Sequence, residues 1–258
     1  AQYDLGMIYY RELNFDRDIN KAIYYLTLAA NQNYIPAQHN LGMLYFDTIK
    51  DVNKAIYYLT LSANQGFSHS QIFLGKIYYF GFGVKRDNEK ALHYIFLAAN
   101  QQNAEAQSLY GYIYLEDKYF EVPQDLDKGI YYLTKAADQN NSDAQYNLGI
   151  IYLLDKYNKK DMKKAMKYLT DAAEQYYSYA QGCLGILYCE SNDINKAIHY
   201  FTLSANKSHP WSQYHLGILY YDPQYGKQNI SKAIYYLKLA SNQNISKAIY
   251  LRFKFSLV

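Results

Sequence analysis

A short pattern, Leu-Gly-x-x-Tyr, returns at nearly even spacing and constrains this chain more than any other feature. It occurs six times and once as a variant, at Leu5-Gly6-Tyr9, Leu41-Gly42-Tyr45, Leu74-Gly75-Tyr78, Leu148-Gly149-Tyr152, Leu184-Gly185-Tyr188 and Leu216-Gly217-Tyr220, with Tyr110-Gly111-Tyr114 as the variant. Subtracting successive glycine numbers gives 36, 33, 36, 38, 36 and 32. A second pattern keeps step with the first, at Lys21-Ala22, Lys54-Ala55, Lys90-Ala91, Lys164-Ala165, Lys196-Ala197 and Lys232-Ala233, with Lys128-Gly129 as the exception. Self-similarity at such a period is the signature of a repeat protein, so the sequence predicts seven copies of one unit.

The cleanest copy of this unit runs from Ser70 to Gln102. Small and apolar residues recur at helical spacing in both of its halves, and they do not alternate as in a strand. Between the halves, Gly81 and Gly83 permit backbone angles that other residues resist. Asp87 precedes Lys90 by three residues, where its carboxylate would accept a hydrogen bond from the start of a helix. Each unit is therefore predicted to be a helix-turn-helix hairpin.

These residues resemble the Sel1-like repeats, which are α/α solenoids related to tetratricopeptide repeats. The family pattern, A-x-x-x-L-G-x-x-Y-x-x-G-x-G-V-x-x-D-x-x-K-A-x-x-W/Y-x-x-x-A-A, is met almost fully between Ser70 and Ala99. Tetratricopeptide repeats keep a nearly constant 34-residue period, whereas the gap from the first-helix tyrosine to Lys-Ala here runs from 8 (Tyr188 to Lys196) to 14 (Tyr114 to Lys128). The resemblance implies an all-α fold, a right-handed α/α superhelical solenoid of about seven repeats.

We expect a single solenoid domain over residues 1–258, because a solenoid grows by adding repeats around one elongated core. The expected repeats cover approximately 1–33, 34–66, 67–102, 103–140, 141–176, 177–208 and 209–244. Residues 245–258 are expected to form a partial eighth repeat or a cap, since Ile245 to Phe255 begins like a first helix and then lacks Leu-Gly. The Gly-x-Gly-Val turn occurs in the third copy alone, and the glycine that often ends the second helix occurs only as Gly66, which leaves the other turns open.

A glycine inside every first helix requires an explanation, because each costs about 1 kcal/mol relative to alanine. The usual compensation is close approach of two helices with no Cβ between them. We expect Gly42 and its equivalents to face pairs of the Ala29-Ala30 type on a neighbouring helix.

Composition and motifs argue against nucleic-acid binding, a membrane span and phosphate binding in this segment. The net charge of +3 and pI near 8.5 fall short of a nucleic-acid binder, and no apolar run approaches the 18 or so residues of a membrane span. Gly81-Phe82-Gly83 lacks the Lys-Ser/Thr that follows a phosphate-binding loop. A lysine-rich turn at Lys159 and Lys160 is interpreted as a solvated turn in preference to a phosphate contact.

The cysteines and histidines indicate no disulfide and no metal site. Cys183 and Cys189 lie on different faces of one predicted helix and are not expected to bridge. A metal site at His209, His215 and Cys183 is one hypothesis, and solvated or interface histidines are favoured over it because no ligand motif is present. The sequence therefore predicts no catalytic residue, no cofactor and no metal.

The remaining candidate for a functional site is a surface on the first helices. If the Ala37, Leu41, Tyr45 stripe faces the core, positions 39, 43 and 46 project roughly opposite at 100° per residue. The equivalent residues across the repeats are too apolar for a plain solvent face, and the resemblance places first helices on the concave side, as a groove for a protein partner. The expected partner-binding residues are Met43, Phe46, Tyr79, Tyr112, Leu115, Tyr146, Ile150, Tyr214 and Tyr221. The alternative left open is that superhelical curvature buries many of them against adjacent helices.

We therefore expect a non-enzymatic scaffold or adaptor that binds a protein or peptide segment along this groove, with no nucleic-acid partner and no small-molecule substrate. Phrases such as Asn20-Lys21-Ala22-Ile23 resemble repeats of parasitic protists, where they often accompany a protein kinase, so a regulatory arm of a larger kinase is one alternative. The other is a lumenal adaptor of endoplasmic-reticulum-associated degradation, the role of the family's best-known members. The N-x-Ser sequons that would suit the lumen begin at Asn140, Asn206, Asn229 and Asn244. Chance accounts for sequons in an Asn-rich chain, and a cytoplasmic location is favoured over the lumen.

Overall fold

Helices account for the regular structure in the part of this chain that the structure describes. The computed structural model describes residues 1–11, 18–116, 124–154 and 158–246. Within those ranges the chain forms fourteen α-helices: α1 (Gln2–Arg11), α2 (Ile19–Ala30), α3 (Ile35–Leu44), α4 (Val52–Asn64), α5 (Ser68–Phe80), α6 (Asn88–Asn100), α7 (Ala104–Glu116), α8 (Leu126–Asp138), α9 (Ser142–Leu153), α10 (Met162–Glu174), α11 (Ser178–Glu190), α12 (Ile194–Asn206), α13 (Pro210–Tyr221) and α14 (Ile230–Asn242). Consecutive helices pair as seven hairpins, which confirms the predicted all-α class and repeat number.

The hairpins belong to two compact units, residues 1–136 and 137–258. In the first unit, α2 packs on α3, α4 on α5 and α6 on α7, so that each hairpin stacks on the next. In the second unit, α10 packs on α11 and α12 on α13 in the same way. The predicted single domain over 1–258 stays a prediction. Of the predicted partial eighth repeat, Ile245 and Ser246 are described, and 247–258 lie outside the described residues.

An acidic or amide side chain starts each second helix, as the sequence predicted for Asp87 and Lys90. Its oxygen accepts a hydrogen bond from the backbone N–H of the lysine three residues later, at 2.9–3.1 Å. The residues that do so are Asp18, Asp51, Asp87, Asp125, Asp161, Asp193 and Asn229. This bond lowers the pKa of Asp87 below its ordinary value, because it favours the carboxylate. Such caps satisfy N–H groups that the helix itself leaves unpaired.

The tyrosine of Leu-Gly-x-x-Tyr stacks on a tyrosine of the second helix in its own hairpin. The ring planes differ by 2–11° and the centroids are 5.4–6.2 Å apart in Tyr9–Tyr25, Tyr45–Tyr58, Tyr78–Tyr94, Tyr152–Tyr168, Tyr188–Tyr200 and Tyr220–Tyr236. In each pair the Nζ of the Lys-Ala lysine lies 5.0–5.2 Å from the first ring. The recurring tyrosines and lysines are therefore accounted for by packing within the hairpin, through aromatic and cation–π contacts.

Each glycine of Leu-Gly-x-x-Tyr lies against a large apolar side chain of the same hairpin. A Cβ added at Gly75 would lie 2.6 Å from Ile95 Cγ1, and one at Gly42 would lie 2.7 Å from Leu59 Cγ. The predicted close approach of two helices is confirmed, but the predicted partner is wrong. The glycine faces the second helix of its own hairpin. The Ala29-Ala30 pair lies one turn further along α2, where Gln38 of the next hairpin donates to the Ala30 carbonyl.

The turn between hairpins contains one residue with left-handed backbone angles. Gly66 takes this place after α4, with φ of 85°. In the other hairpins φ is 59–63° at Asn33, Gln102, Asn140, Tyr176, Ser208 and Asn244. The turns that the sequence left open therefore keep the geometry of the glycine turn without glycine, although non-glycine residues adopt it at a cost in energy.

Candidate functional site

The first unit holds five of the nine predicted partner-binding residues, and their exposure differs. Tyr112 is 37% exposed, and Met43 and Phe46 are partly buried. Tyr79 and Leu115 are only 8% and 4% exposed. The prediction that all of these side chains project away from the core is therefore wrong for Tyr79 and Leu115.

Neighbouring residues explain the burial of these two side chains. Tyr79 belongs to a buried cluster with Tyr110 and Ile113 of α7, and Arg86, from the turn after α5, lies 5.4 Å from the centroid of its ring. The Cγ of Leu115 lies 2.6 Å from the position that a Cβ on Gly129 would occupy. Gly129 is the glycine that replaces alanine in the Lys-Ala pattern, so this exception makes room for Leu115.

In the second unit the four predicted residues Tyr146, Ile150, Tyr214 and Tyr221 are all partly buried. The Tyr146 ring packs against Tyr177, with centroids 5.3 Å apart. Burial against adjacent helices, the alternative that the sequence left open, thus holds for two of the nine residues. The other seven keep part of their surface in solvent.

Sequence reasoning missed a row of buried glutamines that joins successive hairpins. The sequence contains a sign of this row, because a small residue followed by glutamine recurs at the same place in all seven repeats, from Ala1-Gln2 to Ser212-Gln213. The Nε2 of each glutamine donates to a carbonyl in the last turn of the preceding second helix, at 3.0–3.4 Å, in Gln38, Gln71, Gln107, Gln145, Gln181 and Gln213. A first-helix glutamine Oε1 accepts from a glutamine at the end of the second helix of the same hairpin, at 2.6–2.8 Å, in Gln32–Gln2, Gln65–Gln38, Gln101–Gln71, Gln175–Gln145 and Gln243–Gln213.

One link in this row is missing. Lys207 stands where the other repeats place the donor glutamine, and the buried Oε1 of Gln181 has no hydrogen-bond partner among the described residues. A buried acceptor without a partner is destabilising. The two helices of the sixth hairpin are therefore tied less firmly at this end than those of the equivalent hairpins.

We expect Lys207→Gln to raise the free energy of unfolding by about 1 kcal/mol, because the new amide would donate to Gln181 Oε1. Chemical denaturation of the two proteins measures the change. Lys207→Met is the matched control, since it removes the charge and keeps the length without adding a donor. An equal gain in both variants would show that the lysine charge, and not the missing hydrogen bond, is the cause.

A cleft of about 220 Å³ opens in the second unit beside Gly182. Its lining comprises Tyr146, Tyr179, Gly182, Cys183, Ile186, Phe201, His209, Trp211, Ser212 and His215. Position 182 belongs to the outward set of first-helix residues, where the other repeats carry Tyr3, His39, Ile72, Ser108, Tyr146 and Tyr214. The cleft therefore exists where one repeat lacks a side chain that the others have.

An imidazole from the next hairpin occupies part of this space. The Cε1 of His209 lies 3.3 Å from where a Gly182 Cβ would be, and its Nδ1 is 2.8 Å from Ser212 Oγ. Ser212 Oγ donates to Ser204 Oγ at 2.7 Å. His209 thus completes a His-Ser-Ser chain of hydrogen bonds across the junction.

The same chain of hydrogen bonds occurs in the first unit with a different source for the imidazole. His39, the equivalent of Gly182, places Nδ1 2.9 Å from Ser70 Oγ, which donates to Ser62 Oγ at 2.9 Å. A histidine beside a serine also occurs in hydrolases. Ser62, Ser70, Ser204 and Ser212 are all buried, and in each pair the serine hydroxyls are bonded to each other. These histidines tie one hairpin to the next.

Burial favours the uncharged form of three groups that line the cleft, His209, Cys183 and Tyr146. Burial lowers the pKa of His209 below its ordinary value and raises that of the Cys183 thiol. Burial, and then the neighbouring Cys183, raises the pKa of Tyr146 to about 12. His209, His215 and Cys183 do line one cleft, but no group of three or more His, Cys, Asp or Glu within the described ranges is placed to hold a metal ion. Cys183 and Cys189 are free thiols, as predicted.

Comparison with protein families finds one match that repeats along the chain. The model of the Sel1 repeat matches residues 1–34, 35–67, 68–103, 104–141, 142–177, 183–209 and 212–245. No curated protein matches the chain.

Two solved structures share the fold over almost the whole chain. A Sel1 repeat protein from Oxalobacter formigenes is 25% identical with a TM-score of 0.83, over 98% of this chain and 75% of that one. A protective antigen of uropathogenic Escherichia coli strains, which displays an SLR fold, is 27% identical with a TM-score of 0.81, over 96% of this chain. The chain spans 54% of the length of that antigen. Among the described residues, no helix combines the length and apolarity needed to cross a bilayer.

Proposed function

The chain belongs to the Sel1 repeat family, and from this premise we propose that it is a protein-interaction scaffold that holds a partner segment against its first helices. Sel1 repeats commonly serve as interaction scaffolds and are generally not catalytic. We assign contacts to each unit separately. In the first unit they involve Met43, Phe46 and Tyr112, and in the second Tyr146, Ile150, Tyr214 and Tyr221. Tyr79 and Leu115 are too deeply buried to serve as contacts and instead support this surface from beneath.

The observation that carries this proposal is the partial exposure of apolar and aromatic side chains at one position after another on the first helices. Tyr112 is the most exposed of the assigned residues. Tyrosine provides a large, rigid contact area with a polar tip and is enriched at binding hot spots. A partner segment would therefore gain most from residues of this type.

The second helices offer an alternative surface that the test must separate. Tyr24, Tyr57, Tyr131 and Tyr235 are each more than half exposed on second helices. Exposure alone therefore does not select the first helices. The first-helix residues are favoured because they are half-buried and held by neighbours, so less conformational freedom is lost on binding.

We expect Tyr112→Ala to weaken binding of a protein partner by about 2 kcal/mol, roughly thirtyfold, without a change in the melting temperature. Tyr131→Ala is the matched control, because Tyr131 is 52% exposed on the second helix of the same hairpin. We expect it to leave the affinity within about twofold. A photo-crosslinking residue at position 112 or 131 identifies the partner, and titration of the purified pair gives the affinity.

Two outcomes would contradict the proposal. If Tyr131→Ala is the more sensitive variant, the second helices carry the binding surface. If Lys159→Ala and Lys160→Ala weaken binding while Tyr112→Ala does not, an electrostatic site at the turn before α10 replaces the first-helix surface.

A further inference from the structure

We propose that the cleft beside Gly182 receives one aromatic side chain of the partner segment as an anchor. This inference rests on the proposed scaffold function and names the chemistry of the residue that the partner presents. The occupant is a phenyl-like side chain on an extended polypeptide.

The size of the cleft selects a side chain over a whole ligand. Pockets for small molecules usually measure about 300–1,000 Å³. The cleft beside Gly182 measures about 220 Å³. It lies where Gly182 lacks a side chain that the equivalent first-helix positions carry, and Tyr146 and Ile186, which belong to the same set of first-helix positions, also line it. An anchor from a segment bound along that surface would enter it directly.

Aromatic groups surround this space. Tyr179 packs edge-on against His209 at 5.0 Å, and Phe201 stacks on His215 at 5.1 Å. Trp211 is 48% exposed and Tyr179 54% exposed at the cleft. Tryptophan and tyrosine dominate binding hot spots, and a partly exposed tryptophan gains from being covered. An aromatic anchor would meet ring edges and faces at distances typical of aromatic pairs.

Aromatic rings also attract cations, so a cationic side chain is the alternative occupant. The charge of the lining residues decides between the two. No Asp, Glu, Lys or Arg is among the residues that line the cleft. A lysine or arginine head group that entered would lose its water without a carboxylate to replace it. An uncharged lining therefore favours an uncharged aromatic side chain.

The chain contains a closed version of the same junction. Between the second and third hairpins, His39 stands at the position of Gly182, and Phe67 stands at the position of His209. Their ring centroids are 5.1 Å apart, and His39 keeps the hydrogen bond to Ser70. The double variant Gly182→His/His209→Phe would reproduce this filled arrangement while it retains an imidazole for Ser212.

Trp211 makes the test direct, because it is the sole tryptophan in the chain and lies at the cleft. Its fluorescence is followed while the chain is titrated with N-acetylphenylalaninamide, and in parallel with N-acetyllysinamide and N-acetylalaninamide. We expect a saturable change with the phenylalanine compound and at least about tenfold weaker binding of the other two. The double variant should melt at the parent temperature and bind the phenylalanine compound at least about tenfold more weakly.

A second variant keeps the test valid if the double variant fails to fold. Ile186→Asp places a charge on an exposed side chain of the lining and should weaken the phenylalanine compound to a similar extent. Equal or tighter binding of the lysine compound would overturn the aromatic assignment in favour of a cation. The absence of saturable binding, or unchanged binding in a folded double variant, would overturn the cleft as the site. Neither result bears on Tyr112, so failure of the anchor is distinct from failure of the scaffold.

Discussion

Phe201→Ala is expected to lower the free energy of unfolding by about 3 to 5 kcal/mol. Phe201 is fully buried on α12, and its ring stacks on His215. Its Cδ1 and Cε1 atoms lie 2.6 Å from the position of a Cβ on Gly185, so the ring fills the space that this glycine provides. Truncation to alanine would leave a cavity between α12 and the residues that the ring contacts, Gly185 on α11 and His215 on α13. Equilibrium unfolding in urea measures the loss.

Phe201→Leu is the matched control for this prediction. Leucine stands at the same position in five of the other hairpins, at Leu26, Leu59, Leu133, Leu169 and Leu237. We therefore expect a cost below about 1.5 kcal/mol, as for other conservative changes of shape in a core. If leucine and alanine cost the same, the contact with Gly185 is not the source of the stabilisation.

Gly75→Leu is expected to cost about 3 kcal/mol, at the upper end of what overpacking usually costs. The added Cβ would lie 2.6 Å from Ile95 Cγ1 and 3.3 Å from the Ile95 backbone nitrogen. Ile95 is fully buried, and interiors are packed closely enough that such a side chain moves only at a cost. Either the two helices of the hairpin separate or the isoleucine leaves its rotamer. A thermal melt detects the loss.

Gly182→Ala serves as the comparison for Gly75→Leu and for Gly75→Ala. Both glycines lie inside first helices, but a Cβ at Gly182 meets nothing closer than Ser212 Oγ at 3.1 Å. We expect Gly182→Ala to change the melting temperature little and Gly75→Ala to lower it. Equal effects at the two positions would contradict the role of Gly75 in close packing.

The repeat fold and its helix caps were predictable because local chemistry decides them. Asp87 and Lys90 lie three residues apart, and a helix start requires that spacing whatever surrounds it. The packing partner of Gly42 was predicted wrongly. Periodicity tells which residues share a helix face, but not which of two adjacent helices that face contacts.

Exposure at the predicted partner-binding residues depended on contacts from outside the first helix. Tyr79 is covered by Arg86 from a turn, and Leu115 occupies the space beside Gly129 on the second helix. A helical projection of the first helix alone contains neither residue. A helical projection does not show the cleft for a related reason, because it marks position 182 as outward but not the space that a missing side chain leaves there.

The glutamine row determines how firmly each hairpin depends on the next. In repeat proteins, stability is approximately the sum of the hairpins and of the interfaces between neighbours. Where a glutamine pair such as Gln175–Gln145 is complete, it joins the two helices of one hairpin, and the first-helix glutamine also donates to the hairpin before it, as Gln145 does to the Ala137 carbonyl. At Gln181 the pair is incomplete, so the start of α11 is not tied to the end of α12, and opening should begin more readily within the sixth hairpin. The cleft is lined by residues of the sixth hairpin and of the seventh, and a partner that contacts both there would hold the sixth hairpin closed as it binds.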